Sequence, residues 1–253
     1  MVYILLKMMK KVLKIVGRWR PLLDHVFEKM DRLVIFRFTL FGYEIEIGNT
    51  IFITWIIMAA LIILALVFTR RMSTGKPGKL QMIAELLVET VNNICKDSIG
   101  DHYRAYVPYI GTLLLYLGFA NTIAVFNFIP GIDFYPPTKD INVTGALALI
   151  SIAVVLYSGF RRKGVIGWAK GLADPMPLMI PFKLMEYGTK PLSLCLRLFG
   201  NIVAGFIIME LLLAFLPFLG APFSAYFDLF DGVLQAYIFV YLTSLYIGEA
   251  VEV

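Results

Sequence analysis

The hydrophobic positions of this chain fall in long blocks, and polar or charged residues separate them. Residues 51–69 carry no charged side chain and are followed by Arg70 and Arg71. Because a helix needs about 20 mostly apolar residues to cross a bilayer, this block predicts a transmembrane helix. Four further predominantly apolar blocks bring the number of predicted spans to five, and they cover residues 106–130, 142–160, 182–216 and 224–248.

The chain before the first predicted span has a different pattern. Residues 1–18 place apolar side chains on one side of a helix and basic ones on the other, which is typical of a helix on a membrane surface. Residues 32–47 partly alternate around Gly42, which predicts a short hairpin or an extended segment. Residues 80–96 predict a second amphipathic helix, lying along the surface or beside the bundle. We therefore divide the chain into an N-terminal segment, residues 1–50, and a membrane domain, residues 51–253.

The composition supports this pattern. Of the 253 residues, 59% are hydrophobic and 16% charged, and the mean hydropathy is +0.79, whereas soluble domains are about 45–50% apolar. We therefore predict an all-α integral membrane protein. The net charge of +5 comes with basic residues that flank apolar blocks, which favours contact with membrane lipid over nucleic acid. Cys95 and Cys195 have no CxxC or histidine partner nearby, so we expect buried apolar side chains and no metal site.

The distribution of basic residues predicts an orientation. Lysine and arginine are concentrated after the first and third spans, and such loops are usually cytoplasmic. Five spans then place the N-terminus outside and the C-terminus in the cytoplasm. The basic N-terminal segment opposes this assignment, but two basic loops favour it.

The fourth span contains an arginine, Arg197. A guanidinium does not lose its proton, and a charge near the bilayer centre costs at least ~2.5 kcal/mol. Small neighbours would let another helix approach closely, so this face predicts a protein partner instead of lipid. The alternatives are that Arg197 extends to the interface or pairs structurally with Glu186 or Asp231. The polar and small residues of this face, by helical spacing, are Ser193, Arg197, Gly200, Asn201 and Ala204.

Acidic residues on the last two spans suggest an ion path. Asp228, Asp231 and Gln235 fall at i, i+3 and i+7, on one stripe of an α-helix. If the two spans are antiparallel with Gln235 level with Arg197, these acids and Glu210 line a route from outside towards the arginine. Intramembrane acids often mark such routes. The alternatives are an interfacial helix start for Asp228 or Asp231, and a simple internal pair for Glu210.

Three segments of the sequence resemble one family. The stretch PLSLCLRLFGNIVAG, residues 191–205, closely resembles the signature of subunit a of F-type ATP synthases, the membrane stator that faces a rotating ring of c subunits. PPTKDINVT, residues 136–144, and LQAYIFVYLTSLYI, residues 234–247, are similar to two further segments of that family. The resemblance covers roughly residues 50–250.

The resemblance implies a function. It implies an ion-translocating stator subunit in which Arg197 separates two offset half-channels, with Asn201 and Gln235 as polar neighbours. Flow of H+ or Na+ would turn the c-ring and drive ATP synthesis, and the last two long helices would form an antiparallel hairpin facing that ring. The subunit would be non-catalytic and need no cofactor. Its partners would be the c-ring, the peripheral-stalk b subunits, the rest of the synthase and lipid, in a bacterial plasma membrane.

The sequence departs from the family pattern in the outer half-channel. Many relatives have His or Glu nine residues after the arginine, where this chain has Phe206. Glu210 is the expected replacement, and Asp228 stands where relatives often have Glu or His. Asn127 occupies a position that is acidic in some relatives, so we include it in the predicted ion path, together with Ser193 and Asp231.

Two other classes of function compete with this interpretation. A secondary transporter could use Arg197 to bind an anionic substrate, but no pair of similar halves is visible. A membrane enzyme could use it to bind a lipid phosphate, but the spans lack a nearby nucleophile or a histidine with an acidic partner. The chain has no GxxxxGK[ST] loop, which places nucleotide chemistry on other subunits.

Overall fold

The computed structural model describes most of the membrane domain and part of the segment before it. The described residues are 34–40, 43–70, 72, 78–128, 136–172, 176–215, 223 and 226–251. The amphipathic helix predicted over residues 1–18 lies outside them.

A hairpin leads directly into the first long helix. Strand β1, Val34–Leu40, pairs antiparallel with β2, Tyr43–Gly48, and Leu40 lies opposite Tyr43. The hairpin that residues 32–47 suggested is therefore present. Helix α1, Asn49–Arg70, starts at the next residue. Most of its side chains are exposed, Trp55 and Ile62 among them. Apolar residues surround the helix on all sides, which suits a helix in contact with lipid.

The second helix lies beside the bundle. Helix α2, Lys79–Ile99, is amphipathic, and it is capped by Gly100, whose φ of 73° suits glycine. Its buried side chains are Val91, Ile94, Cys95 and Ile99, and they share one face. A 3₁₀ segment, Gly100–Ala105, leads into α3, Val107–Thr122, which continues as a second 3₁₀ segment, Ile123–Phe128.

The remaining helices are long. A short 3₁₀ segment, Pro137–Lys139, precedes α4, Ile141–Leu172, which has a non-helical backbone at Gly164, where φ is 69°. Helix α5, Ile180–Phe215, contains Pro191 and carries the arginine. The last helix, α6, covers Gly232–Val251.

The start of the last helix differs from the prediction. A continuous α-helix was expected from residue 224, but Tyr226–Asp231 is π-helical and regular α-helix begins only at Gly232. At this junction α6 meets α3 closely, since a Cβ on Gly232 would lie 3.2 Å from the Asn121 side chain. The i→i+5 hydrogen bonds of a π turn make a wider loop than α-helical bonds, so the α-helical spacing assumed for Asp228 does not hold.

Among the described residues, five helices are long and apolar enough to cross a membrane, in agreement with the predicted all-α membrane fold. Helix α6 packs against α2, α3 and α4, whereas α5 packs mainly against α4. The core between them includes the buried side chains Leu117, Val155, Leu198, Phe239 and Ile247. The described parts of α5 and α6 touch each other less extensively than either touches α4. The five candidate spans are Asn49–Arg70, Val107–Val125, Ile141–Gly164, Ile180–Met209 and Leu229–Val251.

Candidate functional site

Arg197 lies on the exposed side of α5. The same turns of the helix bury Leu194 and Leu198, which fixes α5 on the bundle and turns the arginine outwards. In the part of the chain that the structure describes, Arg197 takes part in no hydrogen bond or ion pair. Neither structural partner considered from the sequence pairs with it. Glu186 binds Lys190 at 2.8 Å, and Asp231 accepts a hydrogen bond from Asn201.

The residues around Arg197 on this side are small and uncovered. We use "open face" for the exposed residues Ser193, Arg197, Gly200 and Ala204 of α5. A Cβ added to Gly200 would meet nothing within 4 Å. Helix α6 also presents exposed side chains, among them Tyr237 and Tyr241, whose rings stack 6.0 Å apart. Both helices thus keep one side uncovered by the described parts of this chain.

Asn201 joins α5 to α6. Its Nδ2 donates to Oε1 of Gln235 at 3.0 Å and to Oδ1 of Asp231 at 3.4 Å. Gln235 is only 1% exposed, and its Nε2 has no hydrogen-bond partner among the described residues. The structure therefore places Gln235 level with Asn201, and not level with Arg197 as the sequence interpretation assumed. The shift is about 6 Å, four residues along the helix.

This arrangement can hold opposite charges at different depths. The planar guanidinium of Arg197 suits a carboxylate. Asp231 is held by a hydrogen bond from Asn201, which lies about one helical turn from Arg197 along α5. A buried amide donor that lacks a partner, such as Nε2 of Gln235, costs roughly 1–3 kcal/mol, so it favours a water or an acceptor at that point. Arg197 can therefore bind a carboxylate, and the polar groups of Asn201, Asp231 and Gln235 can hydrogen-bond water or ions next to it.

Sequence reasoning missed a second polar cluster near the start of α6. Asn121, 2% exposed, donates from Nδ2 to the Gly232 carbonyl at 3.1 Å and accepts at Oδ1 from Thr138 at 2.8 Å. The next residue, Lys139, places its ammonium 3.0 Å from the centroid of the Phe206 ring. The segment Pro137–Lys139 is thus linked to α3 and α5. An isolated asparagine in an apolar block is the signal that indicates such a contact.

A third cluster, also missed, ties α5 to α6 near the opposite end of the bundle. The Lys190 ammonium contacts the carboxylates of Glu186 and Glu249 and lies 4.8 Å from the Tyr246 ring centroid. A neighbouring bond links α4 to α5, because Nε1 of Trp168 donates to the Tyr187 hydroxyl at 3.2 Å.

The structure locates the remaining predicted ion-path residues only by backbone. Glu210 is in α5, Asp228 in the π-helical segment and Asn127 in the 3₁₀ segment Ile123–Phe128, and their side chains are not among those described. Asn201, Asp231 and Gln235 are brought together, while Ser193 stands on the open face. No group of three His, Cys, Asp or Glu residues within the described ranges could hold a metal ion.

The sequence was compared with models of protein families. The family described as ATP synthase A chain matches residues 51–248, which is most of the chain. The match begins in α1 and extends into the last turn of α6, so it includes Arg197 and its polar neighbours.

Proposed function

The chain belongs to the ATP synthase A chain family, and on this premise we propose that Arg197 separates two half-channels that couple ion flow to rotation and ATP synthesis. Membership makes the chain an ion-translocating stator subunit of the F-type ATP synthase complex.

One observation carries the proposal. Arg197 is exposed on a face of small residues, with no hydrogen bond or ion pair inside the described chain. A cation in a membrane span needs an anionic partner, and the open face has room for another helix to bring one. We infer that this partner is the carboxylate of each passing c subunit. The guanidinium favours the ionised carboxylate, so an ion must leave before the carboxylate reaches Arg197.

The cluster of Asn201, Asp231 and Gln235 supplies the second part of the mechanism. Asn201 fixes Asp231 and Gln235 on one side of Arg197, towards the end of the bundle where α6 begins. We assign this side to the half-channel that opens outside, with Glu210, Asp228 and Asn127 as its further groups. Ser193, two residues past Pro191, would line the half-channel that opens to the cytoplasm. An ion enters by the first channel, neutralises a c-subunit carboxylate, travels around the ring and leaves by the second.

Further parts of the proposal follow from the same premise. The open face would meet the c-ring, and other surfaces of the bundle would meet the peripheral-stalk b subunits. The chain would lie in a bacterial plasma membrane with a cytoplasmic C-terminus and would carry no cofactor or nucleotide chemistry of its own. The transported ion would be H+ or Na+, and the ion site on the c subunits would decide between them.

Replacement of the arginine tests the proposal. In the assembled synthase in vesicles, we expect Arg197→Ala to reduce ion-driven ATP synthesis at least ~100-fold, or ~2.7 kcal/mol. The reason is that a charge pair at ~4 Å contributes about 4 kcal/mol at an effective dielectric of 20. ATP hydrolysis by the detached soluble part should be unchanged.

The matched control is Arg161→Ala. Arg161 is also an exposed arginine in a long helix, three residues before the non-helical backbone at Gly164, and it donates to the Tyr157 hydroxyl at 3.3 Å. This variant should synthesise ATP at the wild-type rate. Near-normal ATP synthesis by Arg197→Ala would contradict the proposed mechanism but would leave the family membership unaffected.

A further inference from the structure

The π-helical segment Tyr226–Asp231 ends between two polar contacts that come from different helices. Asp231, its last residue, accepts a hydrogen bond from Asn201 of α5. Gly232, the next residue and the first of α6, accepts a hydrogen bond at its carbonyl from Nδ2 of Asn121 of α3, at 3.1 Å. The start of α6 is therefore held between α3 and α5.

The contact between Asn121 and Gly232 also brings the two backbones close together. Gly232 is buried, and a Cβ added to it would lie 3.2 Å from both the carbonyl oxygen and the Cβ of Asn121. A small residue lets two helices of a membrane protein approach closely. Glycine at this position thus allows the Asn121 side chain to reach the carbonyl.

The Asn121 amide is fixed from two sides. It is 2% exposed, and its Oδ1 accepts a hydrogen bond from the hydroxyl of Thr138 at 2.8 Å. A backbone carbonyl can only accept, so the end of the amide that faces Gly232 must be the NH₂ group. Thr138 is itself fully buried. The asparagine therefore has one orientation, and it presents a donor to α6.

The π-helical geometry makes the position of Asp231 sensitive to this anchor. π-Helical turns are rare, and each of their hydrogen bonds encloses one residue more than in an α-helix. Relaxation of such a turn to α-helix would shift the register by one residue and rotate the residues on one side of it by about 100°. The anchor at Gly232 lies where the geometry changes, directly after Asp231. Without it, the Asp231 carboxylate would be able to turn away from Asn201.

We propose that Asn121 is a positioning residue of the ion path, which anchors Gly232 and thereby holds the Asp231 carboxylate at Asn201. This inference rests on the function proposed above, in which Asp231 belongs to the outer half-channel. Asn121 does not bind the ion itself, because it is buried and its Nδ2 and Oδ1 each have a partner in the protein. Its effect on the ion passes through Asp231.

The ion dependence of ATP synthesis tests this role. With the assembled synthase in vesicles at a fixed membrane potential, the rate per assembled complex is measured against the ion concentration on the side of entry. We expect Asn121→Ala to raise the half-saturating ion concentration about tenfold, or ~1.4 kcal/mol, a size found for coupling within hydrogen-bond networks. Thr138→Val, which leaves Asn121 in place but frees its Oδ1, should act in the same direction and more weakly.

A double variant shows whether Asn121 acts through Asp231. Asp231→Asn should also raise the half-saturating ion concentration, and adding Asn121→Ala to it should cause no further rise. The matched control is Ser151→Ala. Ser151 is fully buried in α4 and bonds Tyr109 of α3 at 3.1 Å, so this variant removes a buried bond of α3 without affecting α6. It should keep the wild-type ion dependence. Unchanged ion dependence in Asn121→Ala, or additive effects in the double variant, overturns the proposal.

Cross-linking separates this inference from the function on which it rests. In the assembled complex, Asn201→Cys and Asp231→Cys are joined by a short bis-methanethiosulfonate, and the yield is read by peptide mass. We expect Asn121→Ala to lower this yield about tenfold, the same shift in population. Lys190→Cys with Glu249→Cys, at the opposite end of the same two helices, should cross-link equally with and without Asn121→Ala.

The outcomes of the two experiments are distinguishable. An unchanged yield for the Asn201 and Asp231 pair, or an equal loss at the Lys190 end, overturns the positioning role of Asn121. Wild-type ion dependence in Asp231→Asn would instead contradict the half-channel proposed above, and the transport role of Asn121 with it, even if the cross-link were lost.

Discussion

At the scale of single residues, Asn121 connects three parts of the chain. Its side chain bonds the Gly232 carbonyl and the Thr138 hydroxyl while almost wholly buried. We expect Asn121→Leu to lower the free energy of unfolding by about 2–6 kcal/mol, because two buried polar groups lose their partner at roughly 1–3 kcal/mol each. Thermal unfolding of the detergent-solubilised complex measures the change. Asn93→Leu, at an exposed position on α2, is the control and should stay within ~0.5 kcal/mol of the wild type.

The reactivity of Cys95 is a second prediction at this scale. Burial raises the pKa of the Cys95 thiol from 9.0 to about 11. A raised pKa means that the folded protein favours the neutral thiol, so at pH 8 the thiolate fraction is about a hundredfold lower than in the unfolded chain. Maleimide labelling, assigned to Cys95 by peptide mass, should be slow at pH 8 and rise only as the pH approaches 11. Labelling in denaturant is the control, and equally fast labelling of the native protein would contradict the prediction.

Which site residues could be predicted depended on their context. Arg197 was evident because a charge in an apolar block is costly, and Asn201 and Ser193 follow from helical spacing. The bond from Asn121 to Gly232 joins residues 111 positions apart, and no local pattern contains it. The contact of Lys139 with Phe206 was missed for the same reason. Local periodicity tells which face a residue occupies, but not which distant residue it meets.

At the scale of elements, α2 and α6 come into direct backbone contact. A Cβ on Gly248 would overlap the carbonyl of Ser98, which belongs to α2. We expect Gly248→Ala to destabilise the complex by about 1–3 kcal/mol, because backbone must move to admit the methyl group. The midpoint of thermal unfolding measures it.

The control for this change is Gly118→Ala. Gly118 lies inside α3, and a Cβ there would meet nothing within 4 Å. Alanine favours a helix over glycine by up to ~1 kcal/mol, so this variant should be as stable as the wild type or more so. If both variants were equally stable, α2 and α6 would not be in the close contact described.

The helices themselves were largely predictable, but one of their details was not. Long apolar blocks indicate spans because only a helix satisfies its own backbone in lipid without a partner strand. The π-helical segment Tyr226–Asp231 escaped the prediction because one wider turn hardly alters the periodicity of a whole helix. The difference is local. Asp231 and Gln235 both contact Asn201, so Gln235 lies one turn away from the level of Arg197, where the sequence interpretation put it.

At the scale of the whole molecule, the open face predicts where a partner binds. We expect Ala204→Cys to react with a small maleimide in the isolated, detergent-solubilised chain and to be protected at least ~10-fold in the assembled synthase. The reason is that an exposed face of small residues beside a charge suits close contact with another protein helix. Labelling is quantified by mass on each preparation.

An exposed position away from the open face provides the comparison. Ala59 is exposed on α1, away from the open face, so Ala59→Cys should react alike in the isolated chain and in the assembled synthase. Equal reactivity of Ala204→Cys in both preparations would place the partner on another surface. The two results together separate protection by a subunit from a general effect of assembly.

The uncovered Arg197 also has a consequence for how the complex is built. In a lone copy inserted into lipid, its guanidinium has no partner in the described chain, and a central charge costs at least ~2.5 kcal/mol. Binding a partner that presents a carboxylate removes this cost, and the energy released favours association over the solitary state. A newly inserted chain is therefore expected to be less stable before assembly than after it, so the residue that we propose to separate the two half-channels would also favour assembly.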